Sequence, residues 1–232
     1  MKTWLKNEWL QLAPIIGMLI AAGTLWNHTP DRFPVHWNMR GEVDRYGGKV
    51  EGLLAVPLVC LGLYVLFQVL PYLDPRRENY VQFARAYWWI RLATTSFLTA
   101  LYGLMIAAAL GGKFDMSQAV FLLVGGLFVI LGNFMGKLRP NWFVGVRTPW
   151  TLSSNLSWSK THRLAGWVFI LLGVTFAVVG WHPNPRAIVV ALVVSGLAVV
   201  WIILYSYLVW RSDPDRGKWS PPKAEDASQI TQ

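Results

Sequence analysis

Six long apolar stretches are the feature that most constrains what this chain can fold into. They cover approximately residues 9–27, 52–73, 87–111, 116–136, 163–181 and 186–210. An α-helix needs about 20 apolar residues to cross the hydrocarbon core of a bilayer, and each stretch is close to that length. Backbone polar groups inside a bilayer must be satisfied within the protein, which favours helices. The pattern therefore predicts an all-α polytopic integral membrane protein with six transmembrane helices.

The composition supports a membrane location and argues against nucleic-acid binding. Hydrophobic residues make up 54% of the chain and charged residues only 14%, whereas soluble domains carry roughly 25% charged residues. Fourteen tryptophans are present, and tryptophan collects at membrane interfaces. The net charge of +9 is explained by Lys and Arg that hold cytoplasmic loops near lipid headgroups. We therefore expect membrane lipids as neighbours and no direct nucleic-acid partner.

The distribution of Lys and Arg predicts the orientation. With the N-terminus in the cytoplasm, the cytoplasmic segments hold about fourteen basic residues and the extracytoplasmic segments about six. This bias predicts a multi-pass protein of the cell membrane with both termini cytoplasmic.

Two details inside the apolar stretches lead to further expectations. Arg91 lies near the cytoplasmic end of the third stretch, where its side chain is expected to snorkel toward the headgroups. Gly132 and Gly136 are four residues apart in the fourth stretch. This spacing predicts a small-residue face that allows close helix contact.

Three regions follow from this organisation. Residues 1–111 form an N-terminal membrane region of three helices with an extracytoplasmic loop at 28–51. Residues 112–210 form a second region of three helices with a cytoplasmic loop at 137–162. Residues 211–232 are polar and rich in proline, which predicts a disordered cytoplasmic tail.

The extracytoplasmic loop admits three interpretations. It contains the polar residues His28, Asp31, His36, Asn38, Glu42 and Asp44. Histidine and carboxylate side chains can bind zinc or calcium, but their spacing matches no established metal motif, so we expect neither a metal nor a cofactor. A compact turn would have His36 and Asn38 bonded to backbone, and Asp44 paired with Arg40 or Arg45. The third interpretation is a recognition surface.

The cytoplasmic loop is rich in aromatic and basic residues. Trp142, Phe143, Trp150 and Trp158 can lie at the headgroup level, while Lys137, Arg139, Arg147, Lys160 and Arg163 face phosphates. Ser153 and Ser154 can cap a helix that carries Trp158 and His162 into the fifth stretch. The loop is then either a membrane anchor or a docking surface for a protein or an anionic ligand.

Catalysis is the least supported interpretation of this loop. Ser153, Ser154 and His162 offer a nucleophile and a base. However, the sequence has no G-x-S-x-G elbow and no carboxylate to orient the histidine. We therefore expect that the protein is not an enzyme.

Two motifs resemble known bacterial membrane proteins. Residues 132–166 resemble the signature of the SdpI family of multi-pass membrane immunity proteins, G-N-x-M-x-x-x-R-P-N-x-x-x-G-x-R-T-P-W-T-L followed by W-x-x-T-H-R-x-x-G. Residues 34–48 resemble the P-x-H-W-N-x-x-G-x-x-D-x-Y-G pattern of a membrane domain often joined to that family. The resemblance covers about residues 10–210.

The resemblance implies a function, partners and site residues. The family's namesake protects a toxin-producing bacterium from its own secreted peptide toxin, and it holds a transcriptional repressor at the membrane when toxin is present. By resemblance, the expected partners are a secreted peptide toxin and a cytoplasmic transcriptional repressor. The expected binding residues are Arg139, Asn141, Arg147, Thr148, Trp150 and His162 in the cytoplasmic loop, and His36, Asn38, Asp44 and Tyr46 in the extracytoplasmic loop.

Two other functions remain open from the sequence. A transporter of small solutes or ions usually carries ionisable residues deep in its spans, and here the candidates are Arg91, Asn133 and Gln68. A membrane-embedded metal-dependent enzyme would require the extracytoplasmic histidines and carboxylates to converge on a metal.

Overall fold

Helices make up most of residues 7–217, the part of the chain described by the computed structural model. The elements are α1 (Trp9–Leu25), β1 (Phe33–Trp37), β2 (Val43–Gly47), α2 (Lys49–Leu73), α3 (Ala84–Ala109), α4 (Met116–Met135), α5 (Pro149–Leu152), α6 (Asn155–Trp181) and α7 (Pro185–Arg211). A 3-10 helix at Arg77–Val81 lies between α2 and α3.

The long helices confirm an all-α, multi-pass membrane protein. Helices α2, α3, α4, α6 and α7 are long and apolar enough to cross a membrane. Helix α1 is also apolar but has only 17 residues, a length of about 25 Å at 1.5 Å per residue. Helix α6 begins at Asn155, eight residues before the start predicted for the fifth stretch. We call the end of the bundle that carries β1 and β2 the hairpin end, and the opposite end the loop end.

A buried ion pair joins the first three helices near the loop end. The Arg91 guanidinium on α3 donates to the Glu8 carboxylate, just before α1, at 2.7 Å. Gln68 and Tyr64 on α2 donate to the same carboxylate oxygen at 2.8 and 3.1 Å. The expectation that Arg91 snorkels to the headgroups is therefore wrong, because its side chain is only 3% exposed and is held inward by Glu8.

Glycines bring α4 and α6 into close contact. A Cβ atom on Gly125 would lie 2.7 Å from the Gly173 carbonyl oxygen, and one on Gly132 would lie 2.7 Å from the Gly166 carbonyl oxygen. Any larger side chain at these positions would push the helices apart. The contact face repeats every seven residues on both helices. The predicted partner Gly136 is not part of it, since a Cβ there would have only an ordinary contact at 3.8 Å.

The segment after α7 folds back onto the loop end. Asp213 is buried, and its carboxylate accepts a hydrogen bond from the Ser154 hydroxyl. The Gly217 N–H donates to the Ser153 carbonyl at 2.9 Å. The disordered tail predicted for residues 211–232 is therefore ordered as far as residue 217, and residues 218–232 lie outside the described residues.

Candidate functional site

The segment between α4 and α6, residues 136–154, forms a folded loop that we call the motif loop. Asn141 is completely buried within it. The Asn141 side-chain oxygen accepts the N–H groups of Phe143 and Val144 at 2.9 and 2.6 Å, and its amide nitrogen donates to the carbonyls of Arg139 and Val144. One side chain thus satisfies four backbone groups, which gives this part of the loop a single conformation.

His162 holds the second part of the motif loop against α6. Its Nε2 accepts the Val146 N–H at 3.0 Å, and its Nδ1 lies 2.8 Å from the Trp158 carbonyl oxygen. These partners require a neutral ring with the proton on Nδ1. Gly145, at φ +111°, passes so close that a Cβ there would lie 2.3 Å from Nε2. Both ring nitrogens are therefore committed to backbone groups, and His162 cannot act as a base for Ser153 or Ser154.

Trp158 supports His162 from inside the protein. Its indole ring stacks on the imidazole with centroids 4.0 Å apart, and its Nε1 donates to the Leu138 carbonyl at 2.9 Å. Only 1% of Trp158 is exposed. Trp158 is therefore enclosed by protein and does not present its ring to lipid headgroups. The indole packs into the core because its single N–H finds a buried partner there.

Thr148 links the motif loop to the last helix. Its hydroxyl caps α5 by accepting the Thr151 N–H at 3.1 Å, and it lies 3.0 Å from the Ser206 hydroxyl on α7. Trp150 is half-buried and packs against the Tyr207 ring at 5.2 Å. As predicted, Ser154 caps the next helix, since its hydroxyl oxygen accepts the Ser157 N–H at 2.9 Å.

A carboxylate outside the predicted set anchors the motif loop to α2. Asp74 follows the last residue of α2 and is 2% exposed. Its carboxylate accepts the Trp142 N–H at 2.9 Å, the Tyr80 hydroxyl at 3.1 Å and the Arg76 N–H at 2.7 Å. Burial and the negative charge of Asp74 raise the pKa of the Tyr80 hydroxyl, which therefore remains protonated as a donor.

Two further bonds connect the segment after α2 to the motif loop. The Asn79 amide donates to the Pro140 carbonyl at 2.7 Å, and the Arg76 guanidinium donates to the Leu152 carbonyl at 2.7 Å. With Asp74, this makes three attachments spread from the start to the end of the loop. The motif loop is therefore fixed between the α2 end on one side and α6 and α7 on the other.

The side chains that point outward from the motif loop are basic and aromatic. Arg147 is exposed, and its guanidinium donates to the Trp142 carbonyl at 2.9 Å. Arg139 is half-buried and has no ion pair or side-chain hydrogen bond with any of residues 7–217. Trp142 is 46% exposed. Further exposed basic side chains surround them at the loop end: Arg77, Arg85, Lys137, Lys160, Arg163, Arg211 and Arg216.

The four predicted residues of the extracytoplasmic loop all lie in one antiparallel β-hairpin, β1–β2. Asn38 forms its turn: the side-chain oxygen accepts the N–H groups of Arg40 and Glu42 at 2.8 and 3.1 Å, and the amide donates to the Glu42 carboxylate at 2.9 Å. Gly41 completes the turn at φ +77°. The expected backbone bonding of Asn38 is confirmed, and the expected compact turn is a hairpin.

Charge pairing in the hairpin differs from the prediction. Asp44 lies 2.5 Å from Nδ1 of His36 rather than pairing with Arg40 or Arg45. Arg45 instead pairs with Glu51 at the start of α2, at 2.7 Å. Tyr46 is exposed, with the Arg32 guanidinium 5.0 Å above its ring. In the strand register His36 lies opposite Arg45, and the pairing is irregular between His36 and Trp37. Asp44 therefore reaches His36 from the neighbouring position rather than from directly opposite.

The hairpin is packed onto the start of α2. Phe33 is completely buried, and a Cβ on Gly52 would lie 2.1 Å from its ring. Lys49 and Asp31 form an ion pair at 3.1 Å across the same junction. Helix α2 therefore begins against the hairpin, and its last residue directly precedes Asp74, which holds the motif loop. Its 25 residues span about 37 Å.

The arrangement separates the predicted residues by role and by position. Asn141, Thr148 and His162 are buried and use their polar atoms within the protein, whereas Arg139, Arg147 and Trp150 reach the surface. The hairpin residues lie at the other end of the bundle and do not meet the motif loop. Among residues 7–217 no group of three or more His, Cys, Asp or Glu side chains is placed to hold a metal ion.

Asp74 and Asn79 are the residues that sequence reasoning missed. The sequence feature that could have pointed to Asp74 is its position directly after an apolar stretch, in a segment whose next charged residues are Arg76 and Arg77. Its partner Trp142 is 68 residues away in the sequence, and no local pattern connects the two positions.

Comparison with known proteins identifies relatives in both halves of the chain. Residues 137–206 match the SdpI/YfhL protein family, and residues 14–61 match a domain of unknown function, DUF1648. The chain is 27% identical over 186 residues to the immunity protein SdpI of Bacillus subtilis, covering 79% of this chain and 86% of that protein. No solved structure matches the chain. The SdpI/YfhL match contains most of the motif loop, with α6 and most of α7.

Proposed function

From the match of residues 137–206 to the SdpI/YfhL family, we propose that this multi-pass membrane protein confers resistance to a secreted peptide toxin. We further propose that its loop end holds a cytoplasmic transcriptional repressor at the membrane when the toxin is bound. The observation that carries this proposal is the rigid display of Arg139, Arg147 and Trp142 on the motif loop.

Rigidity matters because a membrane anchor does not require it. Lysine or arginine on a flexible loop would satisfy the preference for cytoplasmic positive charge equally well. The motif loop is instead held by the Asn141 side chain, by His162 and by Asp74. A surface already held in its binding conformation loses less entropy on binding, so such internal bonding favours a docking surface.

The orientation in this proposal places the hairpin outside the cell and the loop end inside. Exposed Lys and Arg side chains surround the motif loop, whereas among residues 7–217 the exposed carboxylates there are Glu78 and Asp215. An excess of positive charge at one end of the bundle supports a cytoplasmic location for that end. The hairpin would then meet a secreted peptide, and the motif loop a cytoplasmic protein.

Helix α2 offers a physical link between the two ends. Its first turn carries Glu51 and Gly52, which contact the hairpin, and its last residue precedes Asp74, which bonds the motif loop. A ligand that binds one position of the hairpin better than another would shift α2 and, with it, the Asp74 attachment. The coupling requires this difference in affinity, because a ligand that binds both positions of the hairpin equally well does not change their populations.

The decisive experiment replaces both outward arginines of the motif loop by lysine. Arginine presents a planar fork that can grip a carboxylate or phosphate through two bonds, whereas lysine is a point charge. In the variant Arg139→Lys with Arg147→Lys, we expect loss of repressor retention at unchanged membrane abundance. The matched control is Arg163→Lys with Arg211→Lys, which changes two exposed arginines at the same end outside the motif loop.

The readouts are survival of a sensitive host exposed to the toxin of a producing strain, and expression of a reporter controlled by the repressor. Wild-type protein that gives neither protection nor a reporter response would contradict the proposed function. A double variant that behaves like wild type at normal abundance would instead leave immunity standing and reject the motif loop as the docking surface.

A transporter is the second candidate, and the Glu8–Arg91 pair favours it. Ionisable residues inside membrane bundles often mark ion or substrate pathways, and here the pair connects α1, α2 and α3 through Tyr64 and Gln68. Purified protein in proteoliposomes would then show solute or ion flux that Glu8→Gln abolishes. Absence of flux, together with protection in cells, would favour immunity.

A further inference from the structure

A cavity lies beneath the β-hairpin, between β1 and the adjoining ends of α3 and α4. Its volume is about 320 Å³, and we call it the hairpin pocket. Its apolar walls include Trp37, Met39, Leu101, Met105, Met116 and Val120. This volume is at the lower end of the roughly 300–1,000 Å³ typical of small-ligand sites, which suits a single bulky side chain. Methionine side chains are flexible and adapt to ligands of different shape.

Polar groups that suit a peptide backbone also line the pocket. His36, Asn38 and Ser117 belong to its lining. The His36 Nδ1 is occupied by Asp44, whereas its Nε2 has no partner among the described residues. The Ser117 hydroxyl reaches the Asn38 carbonyl only at 3.5 Å, the limit of a hydrogen bond. The His36 Nε2 and the Ser117 hydroxyl can therefore bond to amide groups of a ligand, whereas the Asn38 side chain is already used in the hairpin turn.

Three carboxylates surround these polar residues. Asp44 pairs with His36, Glu42 accepts from Asn38 at 2.9 Å, and Asp115 lies beside Ser117 against the hairpin turn. The nearby cations Arg40 and Lys113 form no ion pair with these groups in the described part of the chain. Arg45, whose charge also acts on Asp44, is paired with Glu51 at 2.7 Å. The three carboxylates thus have no Lys or Arg ion-pair partner among the described residues, which favours a cationic ligand and disfavours a phosphate headgroup.

We propose that the hairpin pocket binds a peptide segment that presents a bulky apolar side chain beside a basic one. The apolar side chain fills the space between β1, α3 and α4, and the basic group faces Glu42, Asp44 and Asp115. A lipid acyl chain fits less well, because it offers no hydrogen-bonding group to the His36 Nε2 or the Ser117 hydroxyl. This inference rests on the proposed function, in which the hairpin end meets a secreted peptide, and it names the chemistry that the site recognises.

The test is photo-crosslinking to the full-length protein in phosphatidylcholine–phosphatidylglycerol nanodiscs. The probe is an acetylated and amidated Gly-Lys-Leu-Gly-Gly pentapeptide with photo-leucine at the Leu position, and a second probe carries Glu in place of Lys. We expect saturable labelling of the hairpin and of the first turns of α4 by the Lys probe, and weaker labelling by the Glu probe. Mass spectrometry of the digested protein locates the labelled residues.

Two variants fill the pocket from different walls, Val120→Trp on α4 and Leu101→Trp on α3. Each should lower labelling by about tenfold or more, the effect of losing the burial of one apolar side chain. The matched control is Ile130→Trp, which lies in another groove along α4 and should label like wild type. Glu42→Gln should lower labelling by the Lys probe about two- to fivefold, as expected for one solvent-screened charge.

Several outcomes overturn the proposal. Labelling that does not saturate, or that persists in both Trp variants, means that the probe partitions into the bilayer. Native mass spectrometry can reveal a phospholipid or a second copy of the protein bound to wild type. If the Trp variants lose that partner and the probe does not displace it, that partner, and not a peptide, occupies the pocket. Crosslinking uses no toxin, so it can fail while wild-type protein still protects cells, and it can succeed when no protection is seen.

Discussion

The carboxylate of Asp74 accepts the backbone N–H of Trp142 at 2.9 Å and thereby attaches the end of α2 to the motif loop. The bond lies at the loop end of a helix whose other end packs against the hairpin through Gly52 and Glu51. The two sets of predicted binding residues, which share no contact, are therefore connected through one helix.

Removing the Asp74 carboxylate is expected to loosen the motif loop. In Asp74→Ala, the Trp142 N–H and the buried Tyr80 hydroxyl lose their acceptor, and leaving a buried polar group unsatisfied costs about 1–3 kcal/mol. We expect a lower unfolding temperature in detergent and loss of repressor retention. Glu78→Ala, which removes an exposed carboxylate four residues later, should match wild type. Equal stability of the two variants would show that Asp74 does not hold the loop.

Breaking the Glu8–Arg91 pair is expected to destabilise the packing of α1, α2 and α3. Glu8→Ala leaves the Arg91 guanidinium buried without its carboxylate, and removing one partner of a buried pair costs about 3–5 kcal/mol. Replacing both residues, as in Glu8→Gln with Arg91→Met, should cost less than Glu8→Ala alone. Thermal unfolding of the purified variants measures the difference. The control is Arg85→Met, which replaces an exposed arginine on the same helix. An equal decrease in unfolding temperature in all variants would contradict a specific contribution of the Glu8–Arg91 pair.

The orientation can be tested with single cysteines in a Cys60→Ala background. Met39 in the hairpin turn and Ser212 after α7 are both exposed and lie at opposite ends of the bundle. A membrane-impermeant maleimide should label Met39→Cys in intact cells, and it should label Ser212→Cys only after the membrane is permeabilised. The reverse pattern would place the motif loop outside the cell and exclude its contact with a cytoplasmic repressor.

Truncation of the C-terminus should have effects that depend on its position. Removal of residues 218–232 leaves the described contacts of the motif loop intact and should change neither stability nor protection. Removal of residues 212–232 also takes away the Asp213 bond to Ser154 and the Gly217 bond to the Ser153 carbonyl. Each lost bond should cost about 1 kcal/mol, seen as a lower unfolding temperature. Asp213→Ala should reproduce much of this loss of stability. An unchanged unfolding temperature in both variants would show that the contacts of residues 212–217 do not stabilise the motif loop.

The sequence identifies part of the candidate site, but it does not show the role of each residue. Asn141, Thr148 and His162 were predicted as binding residues, and the structure places them inside the protein, where they hold the motif loop. Arg139 and Arg147 came from the same motif and do reach the surface. A motif shows which residues occur together along the chain, whereas burial depends on the helices that pack around the loop.

What the sequence alone determined about this protein is its local structure. Hydropathy over about 20 residues predicts a spanning helix, because the thickness of the bilayer sets the length of an apolar segment. Hydroxyl side chains before apolar runs likewise indicated the cap at Ser154, because a cap involves residues only a few positions apart. The tertiary structure decided the pairings between distant segments. Arg91 meets Glu8 across 83 residues and Trp142 meets Asp74 across 68. Such contacts depend on which helices lie side by side, and no local periodicity encodes that choice.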